Sequence, residues 1–223
     1  MNRNAESVKT QIINTLLVLE RQEIVKFSIP PKIQEEKGTN NCTISWGNPA
    51  GGRWSCGKSF NRIIQYQTII EKYSYNAIMS DYSVVRCAFN FDGPKLISQN
   101  LLWWPCPVTI DPNLEEELGM IEAVKMSLRN IRSSEEIKMR TPIRMDFDTT
   151  NNTDKHPCCH LHMQDDNTRI NIQTPICFNQ FMKFILYNCY PNIEVDMRGW
   201  NQLEFQYDVE NEVEYANTSK VTI

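Results

Sequence analysis

Three short segments in the second half of the chain alternate strictly between apolar and polar residues, and this pattern restricts the fold more than any other feature. They are residues 142–148, 158–164 and 168–173. Because successive side chains of a β-strand point to opposite faces, each segment predicts a strand with one apolar and one polar side. An Asp-Asp-Asn turn at residues 165–167 joins the last two segments and predicts antiparallel pairing. We therefore expect a sheet that is wetted on one face.

The rest of the chain adds helices and a further hairpin. Helical spacing of apolar residues is found in four segments: 5–27, 59–71, 114–131 and 178–190. A β-branched and aromatic segment at 82–91, followed by Asp-Gly-Pro, predicts a hairpin with residues 96–106. Residues 38–57 have the composition of a loop, and residues 200–223 indicate C-terminal strands. The sequence thus predicts an α+β fold, an antiparallel sheet meander with packed helices and a long N-terminal amphipathic helix.

The length of 223 residues is sufficient for one compact domain that needs neither metal nor disulfide to stay folded. We expect residues 1–30 to form the N-terminal helix, which Pro30 and Pro31 terminate, and residues 31–223 to form a single α+β domain. Any metal ion would then serve chemistry.

Charge and hydropathy exclude several classes of protein. The 23 basic and 27 acidic residues give a net charge of −4, so a basic coat for sequence-independent DNA binding is absent, although a local basic groove is possible. The apolar runs are too short to span a bilayer and the N-terminus has no signal core, so we expect a cytoplasmic protein without a membrane segment. No Cys-x-x-Cys pair occurs, which argues against a thiolate zinc site.

The candidate site lies on the predicted polar face. All three histidines occur within HPCCHLHMQ, and the alternation of strand residues places polar side chains from three strands on one side of the sheet. Besides the loop residue His156, these candidates are Arg144, Asp146, His160, His162, Gln164 and Arg169.

These residue types suit phosphoryl chemistry. His160 and His162 are expected as ligands of a divalent metal (Mn²⁺, Mg²⁺ or Zn²⁺) or as a general base, and Asp146 as a further ligand or as the group that orients a histidine. Arg144 and Arg169 would bind phosphate oxygens bidentately. An ordinary sheet with one wet face shows the same alternation without any function, and this alternative stays open.

Three specific interpretations compete. His160 and His162 followed by a helix with Tyr187 and Tyr190 resemble metal-dependent nicking nucleases, in which a helical tyrosine attacks the phosphodiester. His160 to Gln164 also resembles the His-x-His-x-Gln signature of the transferase branch of the histidine-triad superfamily, which implies that His162 is nucleotidylated. Residues 52–59 match the G-x-x-x-x-G-K-S phosphate loop, but no buried apolar strand precedes them, so an ordinary loop is favoured.

A longer series of motifs is similar to a prokaryotic family of uncharacterised proteins, a domain of unknown function, over about residues 60–191. The motifs lie at residues 82–93, 101–107, 143–148, 156–162, 169–170 and 181–191. The Arg-x-Asp strand and His-Pro-x-x-His-x-His are the most specific of them. The resemblance implies that the candidate arginines, aspartate and histidines form one constellation, and it associates the chain with anti-phage defence or mobile-element neighbourhoods.

The sequence therefore predicts a phosphodiester- or nucleotide-processing protein of a prokaryotic defence or toxin-like system. The alternative is a non-catalytic accessory or sensor subunit that binds a nucleotide, nucleic acid or partner protein through the same face. The apolar stripe of the N-terminal helix also permits a protein partner or a homo-oligomer.

Overall fold

The computed structural model describes residues 3–47, 62–153, 156–165, 167–196, 198, 200 and 207. Over these residues the fold is α+β, with a nine-stranded antiparallel sheet and five α-helices. The helices are α1 Arg3–Arg21, α2 Ile63–Glu71, α3 Pro112–Leu118, α4 Met120–Arg129 and α5 Phe178–Cys189. The strands are β1 Val25–Ser28, β2 Lys32–Glu35, β3 Asn41–Ser45, β4 Ala77–Met79, β5 Val84–Asp92, β6 Lys95–Trp104, β7 Ile143–Asp148, β8 Cys159–Met163 and β9 Ile170–Asn171.

The strands follow the order β1-β4-β5-β6-β7-β8-β9, and β3 pairs with both β2 and β5. From β4 to β9 each strand pairs with the next one along the chain, which confirms the predicted meander. The hairpin of β5 and β6 turns at Gly93, whose φ of 55° suits a residue without a side chain. The three alternating segments do pair with one another, although β9 is shorter than predicted.

One face of the sheet is apolar and is covered by α1 and α5. Leu101, Met145 and Leu161 of the sheet share a core with residues of both helices, Leu16 of α1 and Phe181 of α5 among them, and each of these side chains is buried. The strands that carry the predicted site are therefore anchored through every second side chain.

The opposite face is covered only in part. Val84, Leu102 and Trp104 pack there against α2 and α4, through residues such as Tyr66 and Val124, in a second hydrophobic cluster. Beyond Leu102, polar side chains of β7 and β8 continue the same face. The polar part of the sheet thus begins where the packing of α2 and α4 ends.

The N-terminal helix is shorter than predicted. Helix α1 ends at Arg21, whereas the apolar pattern had indicated a helix to residue 27. Glu23 adopts a φ of 58°, which turns the chain, and Val25 then begins strand β1 against β4. The apolar residues after the turn continue into the same core, which explains why periodicity alone did not show the boundary.

The predicted helix at residues 114–131 is two helices. Gly119 separates α3 from α4 with φ 79° and ψ 160°, a conformation that only glycine adopts readily. Glu115 lies in the first turn of α3 and Arg129 in the last turn of α4, so their charges act on different helix dipoles.

Gly119→Ala should lower the free energy of unfolding by about 1–3 kcal/mol, because the backbone conformation is costly for any residue with a Cβ. A Cβ there would meet no other atom within 4 Å, so the cost comes from the backbone alone. Urea denaturation measures the change. Glu117→Ala, at an exposed position of α3, is the matched control and should shift stability by less than about 0.5 kcal/mol. A loss in Gly119→Ala no larger than in this control would contradict the prediction.

Other sequence predictions meet the structure in part. The predicted loop at 38–57 contains strand β3, which forms a hairpin with β2 that the sequence did not indicate. Residues 48–57 of this loop, together with the phosphate-loop pattern at 52–59 and the first residues of the second predicted helix, lie outside the described residues. The same holds for the predicted C-terminal strands, apart from Trp200 and Tyr207. No helix in the described ranges combines the length and apolarity needed to cross a membrane.

Candidate functional site

The register of β7 and β8 brings four of the predicted residues together. Arg144 lies opposite His162, and Asp146 lies opposite His160. Because directly opposed residues share a face, the four side chains form one compact group on the polar side of the sheet. The intervening Met145 packs into the core on the other side and holds its strand in this register.

The two imidazoles and the carboxylate converge on one point. Asp146 Oδ2 lies 3.2 Å from His162 Nε2 and 3.9 Å from His160 Nε2, and the two Nε2 atoms are 2.9 Å apart. A point about 2 Å from all three atoms therefore exists, and that distance is the length of a typical Zn–N or Zn–O bond. The geometry suits a three-ligand site with open positions for water or substrate.

A backbone carbonyl sets the tautomer of His160. His160 Nδ1 lies 2.7 Å from the carbonyl oxygen of Pro157, and because that oxygen can only accept, Nδ1 carries the hydrogen. Burial lowers the pKa of His160 to about 4, although the negative charge of Asp146 acts to raise it. The ring is therefore neutral near pH 7. Nε2 then presents its lone pair to the point shared with Asp146 and His162. A metal-binding histidine is usually held by a second interaction of this kind.

Asp146 stays ionised despite its partly buried position. Burial alone would raise its pKa, but the hydrogen bond with His162 and the charge of Arg144 outweigh that effect and hold the pKa below its usual value. Arg144 Nε lies 2.8 Å from Asp146 Oδ2, and Asn100 of β6 donates to Oδ1 at 2.6 Å. The carboxylate is therefore charged and fixed in orientation.

Arg144 also contacts an imidazole. Its Nη2 lies 2.8 Å from His162 Nε2, so one guanidinium bridges the carboxylate and a histidine. Both imidazoles are only 1% exposed, whereas the side chains of Arg144 and Asp146 are 13% and 20% exposed. Solvent therefore reaches this cluster from the side of the arginine and the aspartate.

A second buried arginine, which sequence reasoning missed, lies on the same face. Arg86 of β5 and Arg144 of β7 are separated by Leu102 of β6 in one row across the sheet. The guanidinium carbon of Arg86 lies 4.4 Å from the centre of the Trp46 ring, and the residue is fully buried. Burial, and secondarily the charge of Arg144, lowers its pKa to about 9. Its signal was present, because Arg86 is the one charged residue in the segment 82–91.

Of the other three predicted residues, His156 contacts the cluster directly. The ring of His156 contacts the ring of His160 edge to face at 4.7 Å, and its Nδ1 is 3.3 Å from the carbonyl oxygen of Asn151. Arg169 donates instead to the carbonyl oxygen of Asn167 at 3.2 Å. Gln164 lies beyond the end of β8, exposed and with φ 66°, so it does not continue the alternation of that strand.

The tyrosines of α5 are not beside the histidines. Tyr190 follows α5, and its hydroxyl lies 3.0 Å from Ser83 Oγ and accepts a hydrogen bond from Trp103 Nε1 at 3.1 Å. Tyr187 is 61% exposed. Helix α5 packs on the apolar face, so the sheet separates it from His160 and His162. This arrangement contradicts the interpretation as a nicking nuclease with a helical tyrosine nucleophile.

The low pKa of His160 predicts an acid-sensitive fold. The folded-state pKa of about 4 lies below the ordinary value of about 6.5, so the unfolded chain binds more protons between these values. The contribution of His160 to stability is complete above pH 6.5 and is lost as the pH falls from 6.5 to 4, by up to roughly 3 kcal/mol. Urea denaturation across this range, with a chelator present, measures the loss. The loss should shrink in His160→Gln, and an unchanged pH dependence in that variant would contradict the assignment.

Comparison with known proteins identifies one family. Residues 25–222 match the profile of a family described as uncharacterized conserved protein (DUF2290). No curated protein matches the chain, and no solved structure does so. The matched range includes the whole cluster and every strand of the sheet.

Proposed function

We propose that this chain, which belongs to the family of uncharacterised conserved proteins (DUF2290), binds a divalent metal through Asp146, His160 and His162 and uses it in phosphodiester or nucleotide chemistry. The observation that carries the proposal is the common point about 2 Å from three ligand atoms. Because the fold is large enough to be stable without metal, an ion at this point would act on a bound ligand.

The ligand set favours particular metals. Two imidazole nitrogens and one carboxylate oxygen suit Zn²⁺, Mn²⁺ or Fe²⁺ better than Mg²⁺, which prefers oxygen ligands and retains water. Three protein ligands leave positions for water and for a phosphate oxygen. Such an ion can polarise a phosphoryl group and lower the pKa of bound water.

The arginines support an anionic ligand. Arg86 experiences the like charge of Arg144 and the opposite charge of Asp146, so two guanidinium groups lie near one carboxylate on this face. With the imidazole of His160 neutral, a metal ion would add further positive charge to this part of the sheet. Phosphate, which guanidinium groups bind bidentately, matches that charge. A phosphate-bearing ligand is also consistent with the proposed prokaryotic defence or toxin-like enzyme.

A second candidate function is binding without turnover, as in an accessory or sensor subunit. The observation that favours it is the 1% exposure of both imidazoles, which leaves little room for a substrate to approach them directly. In that case the metal and the arginines would hold a nucleotide or a nucleic-acid end. The two functions use the same residues and differ in whether product is formed.

One experiment tests both. Untagged wild-type protein is incubated with Mn²⁺, Mg²⁺ or Zn²⁺ and with single-stranded DNA, RNA and nucleotides, while calorimetry measures metal binding separately. His160→Ala/His162→Ala removes two ligands, and His156→Ala is the matched control, because His156 contacts His160 without being one of the three converging ligands. We expect the double variant to lose metal affinity by at least about 100-fold and the control to retain it.

The outcomes separate the candidates. Turnover by the wild type and by His156→Ala, but not by the double variant, supports the enzyme. Stoichiometric binding of a nucleotide or oligonucleotide without product supports the sensor. Equal metal binding by the wild type and the double variant would contradict the metal site and, with it, both metal-dependent functions. Sequencing of neighbouring genes tests the defence setting independently.

A further inference from the structure

The contacts at His162 Nε2 conflict with one another. This atom lies 2.8 Å from Arg144 Nη2, which can only donate, 2.9 Å from His160 Nε2, and 3.2 Å from Asp146 Oδ2, which can only accept. His160 presents a lone pair there, because its hydrogen is on Nδ1 facing the carbonyl of Pro157. If His162 Nε2 carries a hydrogen, Asp146 Oδ2 can accept it, but two donors then face each other at the guanidinium. If it does not, two lone pairs face each other between the rings.

A divalent metal ion would remove this conflict. Both Nε2 lone pairs would bind the ion, which would lie at the point that they share with Asp146 Oδ2. The lone pair of His162 Nε2 is then no longer available to Arg144. The ion and the guanidinium would also repel each other at this short distance. The metal and Arg144 therefore compete for one nitrogen.

The released guanidinium has a direction in which to move. Arg86 lies buried in the same row on the same face, and its positive charge already repels Arg144. The side chain of Arg144 is partly exposed, so its way out leads toward solvent, next to the ion. There its planar fork can bind two oxygens of an anion that also contacts the metal.

We propose that Arg144 closes the site in the metal-free protein and that a divalent metal, by taking His162 Nε2, releases Arg144 to bind a phosphate-bearing ligand. Metal binding precedes ligand binding, and each strengthens the other. This inference rests on the proposed metal site and adds an order of binding to it. By thermodynamic linkage, the factor by which the metal strengthens phosphate binding equals the factor by which phosphate strengthens metal binding.

The test uses Mn²⁺ and inorganic phosphate as probes, measured by calorimetry near neutral pH on the full chain. Arg144→Met keeps most of the side-chain length and removes the charge, whereas Arg144→Lys keeps a charge and removes the fork. Circular dichroism melting establishes that each variant is folded.

We expect Mn²⁺ to tighten phosphate binding to the wild type by about 10-fold or more. Arg144→Met should bind Mn²⁺ about 10-fold more tightly than the wild type, and its phosphate affinity should lose most of its dependence on Mn²⁺. Arg144→Lys should bind Mn²⁺ no more tightly than the wild type.

Several results would overturn the inference. Mn²⁺ binding by Arg144→Met that is no tighter than binding by the wild type would show that the guanidinium does not compete. Equal phosphate affinity of the wild type with and without Mn²⁺ would rule out the order of binding. If the wild type still binds Mn²⁺, either result refutes this inference and leaves the proposed metal site intact. Equal Mn²⁺ affinity of the wild type and His160→Ala/His162→Ala would refute the proposed function as well.

Discussion

Asp146→Asn is expected to lower the free energy of unfolding by about 3 kcal/mol and to weaken divalent-metal binding at least 100-fold. The carboxylate lies 2.8 Å from Arg144 Nε and is also a negative charge that acts on buried Arg86. In the Asn variant, the guanidinium groups of Arg144 and Arg86 would both lose this compensating charge. The metal site would also lose its one charged ligand.

Asp148→Asn is the matched control for this prediction. Asp148 lies two residues farther along β7, and its carboxylate accepts hydrogen bonds from Thr150 and Asn151 in the following turn. The change in charge is the same, but the partners are neutral, so a loss of about 1 kcal/mol and an unchanged metal affinity are expected. Urea denaturation and calorimetry on both variants give the two quantities. Equal effects of the two substitutions would mean that the cluster has no special electrostatic role.

Phe181→Ala is expected to lower the free energy of unfolding by about 3–5 kcal/mol while leaving the metal affinity of the folded protein unchanged. Phe181 of α5 is fully buried on the face of the sheet opposite to the histidines. Its removal leaves a cavity beneath the sheet, but the backbone register of β7 and β8 keeps the ligands in place.

The exposed Phe27 provides the control for size and aromaticity. It is 41% exposed on β1, so Phe27→Ala should cost less than about 1.5 kcal/mol. Thermal denaturation compares the stabilities, and metal titration at a temperature where both variants are folded compares the sites. A fall in metal affinity that parallels the loss of stability in Phe181→Ala would show that the two faces are energetically coupled.

Alternation of side chains predicted the central part of the fold because it is a local property. Residues such as Met145 and Leu161 reveal by their neighbours which side of the strand is buried, and the short turn after β8 specifies its antiparallel partner. Arg144, Asp146, His160 and His162 could therefore be placed on one face before any coordinates were known. The sequence could not say that Arg144 contacts His162, since that depends on side-chain rotamers.

Pairing between distant segments was harder to predict. Asn100 orients Asp146 from β6, but a long connection that includes α3 and α4 separates β6 from β7. Arg86 reaches the same face from β5, one strand farther away. Neither residue belongs to a local motif, so only the assembled sheet shows that they act on the cluster. Helix ends at Arg21 and Gly119 were missed because apolar spacing continued across each turn.

The parity of β7 and β8 has a consequence for how sequences of this family can diverge. Core and cluster alternate along the same two strands, so deleting one residue inside β7 would turn Asp146 toward the hydrophobic interior and a core side chain toward water. Insertions between Asp148 and His156, in contrast, would leave both strands in register and the Pro157 carbonyl beside His160. Length variation should therefore accumulate in that connection, while β7 and β8 keep a constant number of residues. An alignment of relatives would then show gaps in the connection and none in the two strands.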